Sequence, residues 1–402
     1  MISLQKGKAI EQKRRRQTFH ATNTGSYVST SSSQIRIEVN LDKETIDFET
    51  SYLMFDFSAL KNGTTDQVKT QPWEASSWIR DVRVYDRAGR EIGEQIRHYN
   101  AFARKHYELL GNDGCNGADN YLGRMEGAAG RISTNTVSLP EQERAHKFLT
   151  HIFDIKSYFP AHLMGGLIIE IDMAATNDVL FLNGTTDTVA SYTLSNVRFV
   201  TDLVLLKPDA EASLRGQLQN GLEIHYESPM NHNQAVIASG TQQRFDLGIA
   251  SGKIKYIQCQ MVLDSETDAV NEESFPAFKQ NGLTSYRFRL GSEYLTEKDI
   301  QVSATRNVEY VVEYLKSLNL ESQDVVNFYG DSALALVDRF VIGQKIEVSK
   351  DPNVSSGRRD YQSNKIELDM VFSGAVAATL YTSTMVEKNL VLLPGRNFKN
   401  LD

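Results

Sequence analysis

The sequence predicts an all-β chain of two tandem antiparallel sandwiches, the second built like the first. Three observations predict it. Short segments alternate apolar and polar residues at the period of a half-buried strand, as in "IRIEVNL" (35–41) and "LIIEIDM" (167–173). Polar turn sequences, among them two copies of "NGTTD" (62–66 and 183–187), separate such segments. The chain also echoes itself: "IEIDM" at 169–173 returns as "IELDM" at 366–370. Each copy is followed by a strand opening on Tyr-Thr and by the run "LVLL", in "YTLSNVRFVTDLVLLKP" (192–208) and "TLYTSTMVEKNLVLLPG" (379–395). A repeat on this scale marks a duplicated structural unit, so the two copies close two equivalent halves.

The elements follow in chain order. Residues 1–17 hold Lys6, Lys8, Lys13, Arg14, Arg15 and Arg16 against Glu11 alone, a net +5, while the whole chain carries −8 and the remainder therefore −13. A basic arm on an acidic body is expected to meet an anionic partner through the arm. "ATNTGSYVSTSSSQ" (21–34) has little to pack and reads as a tether. Alternation then sets in, with Ile35, Ile37, Val39 and Leu41 on one face, and continues in "SYLMFDF" (51–57) and "WIRDVRVYD" (78–86). "IRHYNAFARKHYELLG" (96–111) carries a weak helical stripe of Ile96, Tyr99, Phe102 and Leu109. "KPDAEASLRGQLQNG" (207–221) opens on Pro-Asp and ends on Asn-Gly, the signature of a connector helix between the halves.

In the second half "KIKYIQCQMVL" (253–263) slips phase between Tyr256 and Ile257, as a bulge would make it do. "SYRFRLG" (285–291) and "KIELDMVF" (365–372) alternate cleanly, and "NVEYVVEYLKSL" places Val308, Val311, Val312, Leu315 and Leu318 on one helical face. The remaining breaks are "DRAGRE", "NDGCNGADN", "SPMNHNQ" and "DPNVSSGRR".

Composition is that of an ordinary globular protein, with 41% hydrophobic and 23% charged residues. The longest apolar stretch, around "HLMGGLII", falls far short of the roughly 20 residues that span a bilayer. No apolar block follows the basic N-terminus, which is therefore not read as a secretory signal. Cys115 and Cys259 lie in different halves and are expected as free thiols.

Glu170/Asp172 and Glu367/Asp369 lie two apart on one strand face, the spacing of acid–base or metal-binding pairs. A half-buried strand places polar residues there in any case, opposite Ile169, Ile171, Met173, Ile366, Leu368 and Met370, and their duplication points to a structural role. "YGDSALAL" (329–336) has a hydrolase-like Gly-Asp-Ser, but no histidine follows His232. "GIASGK" (248–253) is one residue short of a phosphate loop, with Ile254 where Ser or Thr would bind magnesium. The eight histidines show no metal-ligand spacing and the two cysteines are unpaired in sequence. No catalytic, cofactor-binding or metal-ligating residue is assigned, and no small-molecule substrate. The sequons at Asn62, Asn183 and Asn353 matter only in a secretory compartment.

From about residue 34 onward the order of features resembles the double jelly-roll major capsid proteins of adenoviruses, virophages, polinton-like viruses and tailless membrane-containing phages. "RIEVNLDKETIDFETSYLMFDF" is similar to the family's opening strands. "SSWIRDVRVYDRAGREIGEQIRHYNAF" resembles its strand, Gly-turn and helix with a Tyr-Asn pair, here Tyr99 and Asn100. "FDIKSYFPAHLMGGLIIEIDM" resembles the aromatic-Pro segment, Phe159 and Pro160, that leads into a late strand of the first roll. "GKIKYIQCQMVL", "LTSYRFRLGSEYLTEKDI" and "EYVVEYLKSL" keep the family's order in the second half. The chain is short for the family, so the long tower loops of larger members are reduced.

The resemblance implies two tandem eight-stranded antiparallel jelly rolls with a few short helices in loops. Residues 1–33 would form the basic arm and tether, 34–206 the first roll, 207–220 the connector and 221–402 the second roll. It further implies a non-enzymatic structural protein of the virion, a homotrimer forming pseudo-hexameric capsomers that tile an icosahedral shell. Its partners would be neighbouring capsomers and minor or penton capsid proteins. The arm, through Lys6, Lys8, Lys13, Arg14, Arg15 and Arg16, would reach neighbouring capsomers, an inner membrane or the genome. The alternatives are a lectin- or adhesin-like binding module and a minor capsid protein. The first would show a signal peptide and an aromatic-lined loop; the second usually carries a single roll.

Overall fold

The computed structural model describes residues 10–23, 25–31, 34–63, 67–70, 74–93, 95–103, 138–183, 188–237, 241–248, 253–264, 279–303, 305–306, 308–317, 340–346 and 365–401. The expected motifs "NDGCNGADN", "YGDSALAL" and "DPNVSSGRR", most of "GIASGK", the segment 104–111, Leu318, Lys6, Lys8 and Cys115 lie outside them.

The first half contributes β1 (Glu11–His20), β2 (Ser26–Val28), β3 (Gln34–Asn40), β4 (Thr45–Asn62), β5 (Gln67–Thr70), β6 (Ile79–Asp86), β7 (Ser138–His146), β8 (Gly166–Met173), β9 (Leu180–Asn183) and β10 (Thr188–Leu206). The second contributes β11 (Leu222–Ile237), β12 (Gln242–Asp246), β13 (Ile254–Leu263), β14 (Leu283–Leu290), β15 (Glu293–Tyr294), β16 (Ile300–Gln301), β17 (Ile342–Lys345), β18 (Ile366–Phe372), β19 (Ala377–Leu393) and β20 (Asn397–Leu401).

The two halves share one topology. In the first, a sheet in the order β1-β10-β4-β7 faces a sheet in the order β3-β8-β6. In the second, β11-β19-β13-β17 faces β12-β18-β14-β15. Strand for strand, β1 corresponds to β11, β10 to β19, β4 to β13, β7 to β17, β3 to β12, β8 to β18 and β6 to β14. The repeated pentapeptides are the central strands β8 and β18, and both "LVLL" runs end the long strands β10 and β19. The fold is a double jelly roll.

Alternation explains the cores. Ile35, Ile37 and Val39 of β3, Val82 and Val84 of β6, and Ile169 and Ile171 of β8 point inward. They meet Leu53, Phe55 and Phe57 of β4 and Tyr192, Leu194 and Phe199 of β10. The second core joins Ile257, Cys259 and Met261 of β13 to Phe288, Ile366, Leu368 and Met370. Cys259 is buried, its Sγ 3.5 Å from Thr382 Oγ1.

Four sequence expectations need correction. Residues 11–20 are not a free arm: β1 pairs antiparallel with β10 from Glu11↔Leu206 to His20↔Arg198 and is the opening strand of the first roll. The stretch 21–34 is not a slack tether, because Tyr27 is 1% exposed in the first core and β2 pairs with β10. "SPMNHNQ" is not a break: Ser228 to Gln234 pair with Val386 to Leu380 inside β11. Pro229 is tolerated because β11 is an edge strand, where a missing N–H need not cost a ladder bond. The helix Val308–Ser317 buries Tyr310, Tyr314 and Leu315 and leaves Val308 72% and Val312 41% exposed. The rings offer more apolar area than the valines, so they claim the packed face.

Other expectations held with adjustments. The bulge in β13 falls between Ile254 and Tyr256, just ahead of the slip in alternation. The connector is a helix over Pro208–Gln219, and residues 99–103 are helical. The helix Val308–Ser317 sits hard against β17: a Cβ on Gly343 would lie 2.7 Å from Ser317 Oγ and 3.0 Å from Tyr314 Cα. No helix among the described residues is long and apolar enough to cross a membrane.

The rolls meet through side chains of both. Leu222, Tyr226, Met385, Leu390 and Leu392 of the second half belong to the first roll's core. Thr150 Oγ1 donates to the Glu227 carbonyl at 3.3 Å, and Asn231 Nδ2 to the Arg97 carbonyl at 2.6 Å. His98 stacks edge-on against Tyr381 at 5.5 Å. The C-terminal strand β20 pairs with β19 and is tied to the first roll where Asn400 Nδ2 donates to the Glu91 carbonyl at 3.2 Å.

Candidate functional site

The basic run chosen from sequence, Lys13–Arg16, lies on the exposed edge strand β1. Its charges are largely answered from within the chain. Arg14 contacts Glu11 at 3.2 Å, Asp47 at 3.0 Å and Asp202 at 3.4 Å, and its Nη2 donates to the Tyr158 hydroxyl at 3.0 Å. Arg15 pairs with Glu44 at 2.9 Å and Arg16 with Asp202 at 3.4 Å. The Tyr158 hydroxyl donates to Glu11. That bond and Arg14 hold the Glu11 carboxyl below its usual range, and Glu11 in turn raises the Arg14 guanidinium. Lys13 has no ion pair or side-chain hydrogen bond among the described residues.

A single sequence segment thus holds two populations of charge. Arg14, Arg15 and Arg16 clamp β1 to Glu44, Asp47 and Asp202, carboxylates from the β3–β4 turn, β4 and β10. Sequence reasoning missed those acceptors, which are remote in the chain. The duplication held a usable signal: β19 has the long partner β11 just after the connector, so β10 requires an equivalent partner ahead of β3.

The strands bearing the paired carboxylates form a second candidate. In the first roll Arg36 and Arg83 flank Glu170 from β3 and β6 in register. Arg36 reaches Glu170 at 3.1 Å and Arg83 reaches Asp172 at 3.1 Å. In the second roll Arg244 and Arg287 flank Asp369 from β12 and β14. Arg244 grips Asp369 through Nε at 2.6 Å and Nη2 at 3.2 Å, while Arg289 reaches Glu367 at 3.3 Å. Tyr294 lies over this group, with the Arg287 guanidinium 3.7 Å from its ring centroid.

These are cross-strand charge ladders on the outer face of each central strand. The geometry ties three strands together in both rolls.

No family profile and no curated protein matches the sequence. Solved structures do resemble the fold. VP54 of PBCV-1, a crystal structure fitted into a reconstruction of the virophage Sputnik, is similar with a TM-score of 0.66 at 11% identity, over 100% of this chain and 99% of that one. The Faustovirus major capsid protein is similar with a TM-score of 0.64 at 8% identity, over 98% of this chain and 93% of that one. The mavirus major capsid protein is similar with a TM-score of 0.53 at 9% identity, over 100% and 92%. The double jelly roll of this chain is therefore the fold of viral major capsid proteins, matched along its whole length.

Proposed function

We propose that the chain is a major capsid protein, a structural rather than catalytic component of an icosahedral virion. One observation carries the reading: two rolls of the same strand order on one chain, matched from end to end by major capsid proteins. Three copies about a threefold axis place six similar sandwiches in a ring. A tile of nearly sixfold outline packs against its neighbours through repeated contacts and closes a shell. Its partners in this reading are two further copies of the chain, adjoining capsomers, and minor and penton proteins.

The domain division follows the same reading, with one shift. The first roll begins at Glu11 instead of residue 34, the connector occupies 207–220, and the second roll runs from 221. Arg14, Arg15 and Arg16 act in holding β1, which leaves Lys6, Lys8 and Lys13 as the charges offered to a neighbouring capsomer, an inner membrane or the genome. Contact with phosphate would make that attachment salt-dependent.

Size-exclusion chromatography with light scattering, followed by negative-stain microscopy, tests the proposal. A species of three chains with a hexagonal outline is expected. A protein that stays monomeric at every concentration and never shows that outline would sink it.

A further inference from the structure

Where the C-terminal hairpin of the second roll meets the first, three arginines gather. Arg90 is fully engaged. Its Nη2 pairs with Asp86 at 2.6 Å, a carboxylate whose side chain is 1% exposed, and its Nη1 donates to Asn397 Oδ1 at 3.0 Å. Its guanidinium lies 4.9 Å from the centroid of the Phe398 ring and also donates to the Arg396 carbonyl.

That last bond holds the backbone of Arg396, whose φ of +63° is one that non-glycine residues rarely adopt. In this conformation the Arg396 side chain turns back over the first roll at Gly165. A Cβ on Gly165 would lie 3.1 Å from Arg396 Nη1 and 3.5 Å from Arg87 Cδ. The missing side chain of Gly165 opens the space that both arginines share.

The charge there is unbalanced. Asp86 is taken up by Arg90, and neither Arg87 nor Arg396 has an ion pair or side-chain hydrogen bond among the described residues. Both are exposed. Like charges held together repel, and an anion bearing several acceptor oxygens removes the repulsion while matching the guanidinium forks.

We propose that Arg87 and Arg396, held in place beside Arg90, form a site for one phosphoryl group, taken as free phosphate or as the phosphomonoester headgroup of a lipid. A single group fits better than a nucleic-acid strand. The cluster is one patch and not a stripe, and it sits on a chain of net charge −8, which repels a long polyanion. The site draws on both rolls, so it exists only when they are docked. It does not depend on the capsid reading.

The full chain is titrated with inorganic phosphate by calorimetry in low-chloride buffer. In parallel it is floated with phosphatidylcholine vesicles, with and without phosphatidic acid, and mixed with a short single-stranded DNA in an anisotropy assay. Saturable phosphate binding is expected below about 10 mM, weakened about tenfold by Arg87→Gln and abolished by Arg87→Gln with Arg396→Gln. Lys399→Gln leaves it unchanged. Arg87→Gln removes a side chain with no described partner, so it carries the test should the double variant melt early. Capture by phosphatidic acid vesicles alone, lost in the same variants, identifies the lipid source; phosphate binding without capture identifies the free anion. The proposal is overturned by the absence of both phosphate binding and vesicle capture, by equal affinity in Arg87→Gln, or by DNA binding that is the tightest of the three.

Discussion

At Gly166 the backbone has φ +122°, and a Cβ would lie 2.1 Å from the Val39 carbonyl oxygen on the neighbouring strand β3. Gly166→Ala therefore forces β8 away from β3 at the head of the repeated segment. A loss of about 3 kcal/mol or more is expected, read as a lower urea midpoint with a similar slope. An unchanged midpoint would show that the approach is looser than the geometry indicates. Two buried histidines act on stability through pH. Burial lowers His146 and His151 from the ordinary 6.5 to about 3 each. The unfolded chain takes up their protons as pH falls through 6.5 while the folded chain refuses them, so stability is complete above 6.5 and declines toward 3. At pH 5 each contributes a loss of about 2 kcal/mol. His151→Asn, which keeps a residue suited to the φ of +66° at that position, should flatten the decline measured by denaturant unfolding between pH 7 and 5. An equally steep decline in the variant would remove His151 from the account.

At the scale of elements, β1 shows how position overrides local pattern. "EQKRRRQTFH" has no apolar alternation, yet it pairs with β10 along nearly its whole length. The reason is placement: β1 is an edge strand whose outer face stays in solvent, so its sequence needs charge and not burial, and a row of basic residues also guards an open edge. Removing residues 1–9 should leave the melting temperature almost unchanged, whereas removing 1–20 should strip β10 of its partner on the side away from β4 and lower it by several degrees. Equal melting temperatures for the two truncations would refute the strand assignment. The alternating strands β3, β6, β8, β14 and β18 were legible because one face of each meets a core. The continuity of β11 through Pro229 was not, because a proline looks like a break unless the strand is known to lie at an edge. The carboxylates that clamp β1 were equally hidden, since Asp47 and Asp202 approach Arg14 only after β4 and β10 have paired.

At the scale of the molecule, the rolls are joined by packing as well as by the connector. Tyr226, Leu390 and Leu392 enter the first core, and β20 carries Phe398 to Arg90 and Asn400 to Glu91. A junction of this kind makes two similar units unfold together. Ending the chain after Pro394 removes β20 and the groups around Arg90. Calorimetry should then show the single unfolding event of the full chain separating into two. A lone transition at the original temperature would place the coupling in the Leu390 and Tyr226 contacts instead.

The sequence by itself determined that the chain is β-rich, duplicated and closed in each half by the same pair of strands, because alternation and turns are local and repeats can be read along a line. Only the tertiary structure decided that the basic segment is a strand, that the repeated carboxylates are held by arginines, and that the two rolls share a seam. Those outcomes depend on which distant residues meet, and a linear pattern carries no record of the partner a charge finds across a sheet.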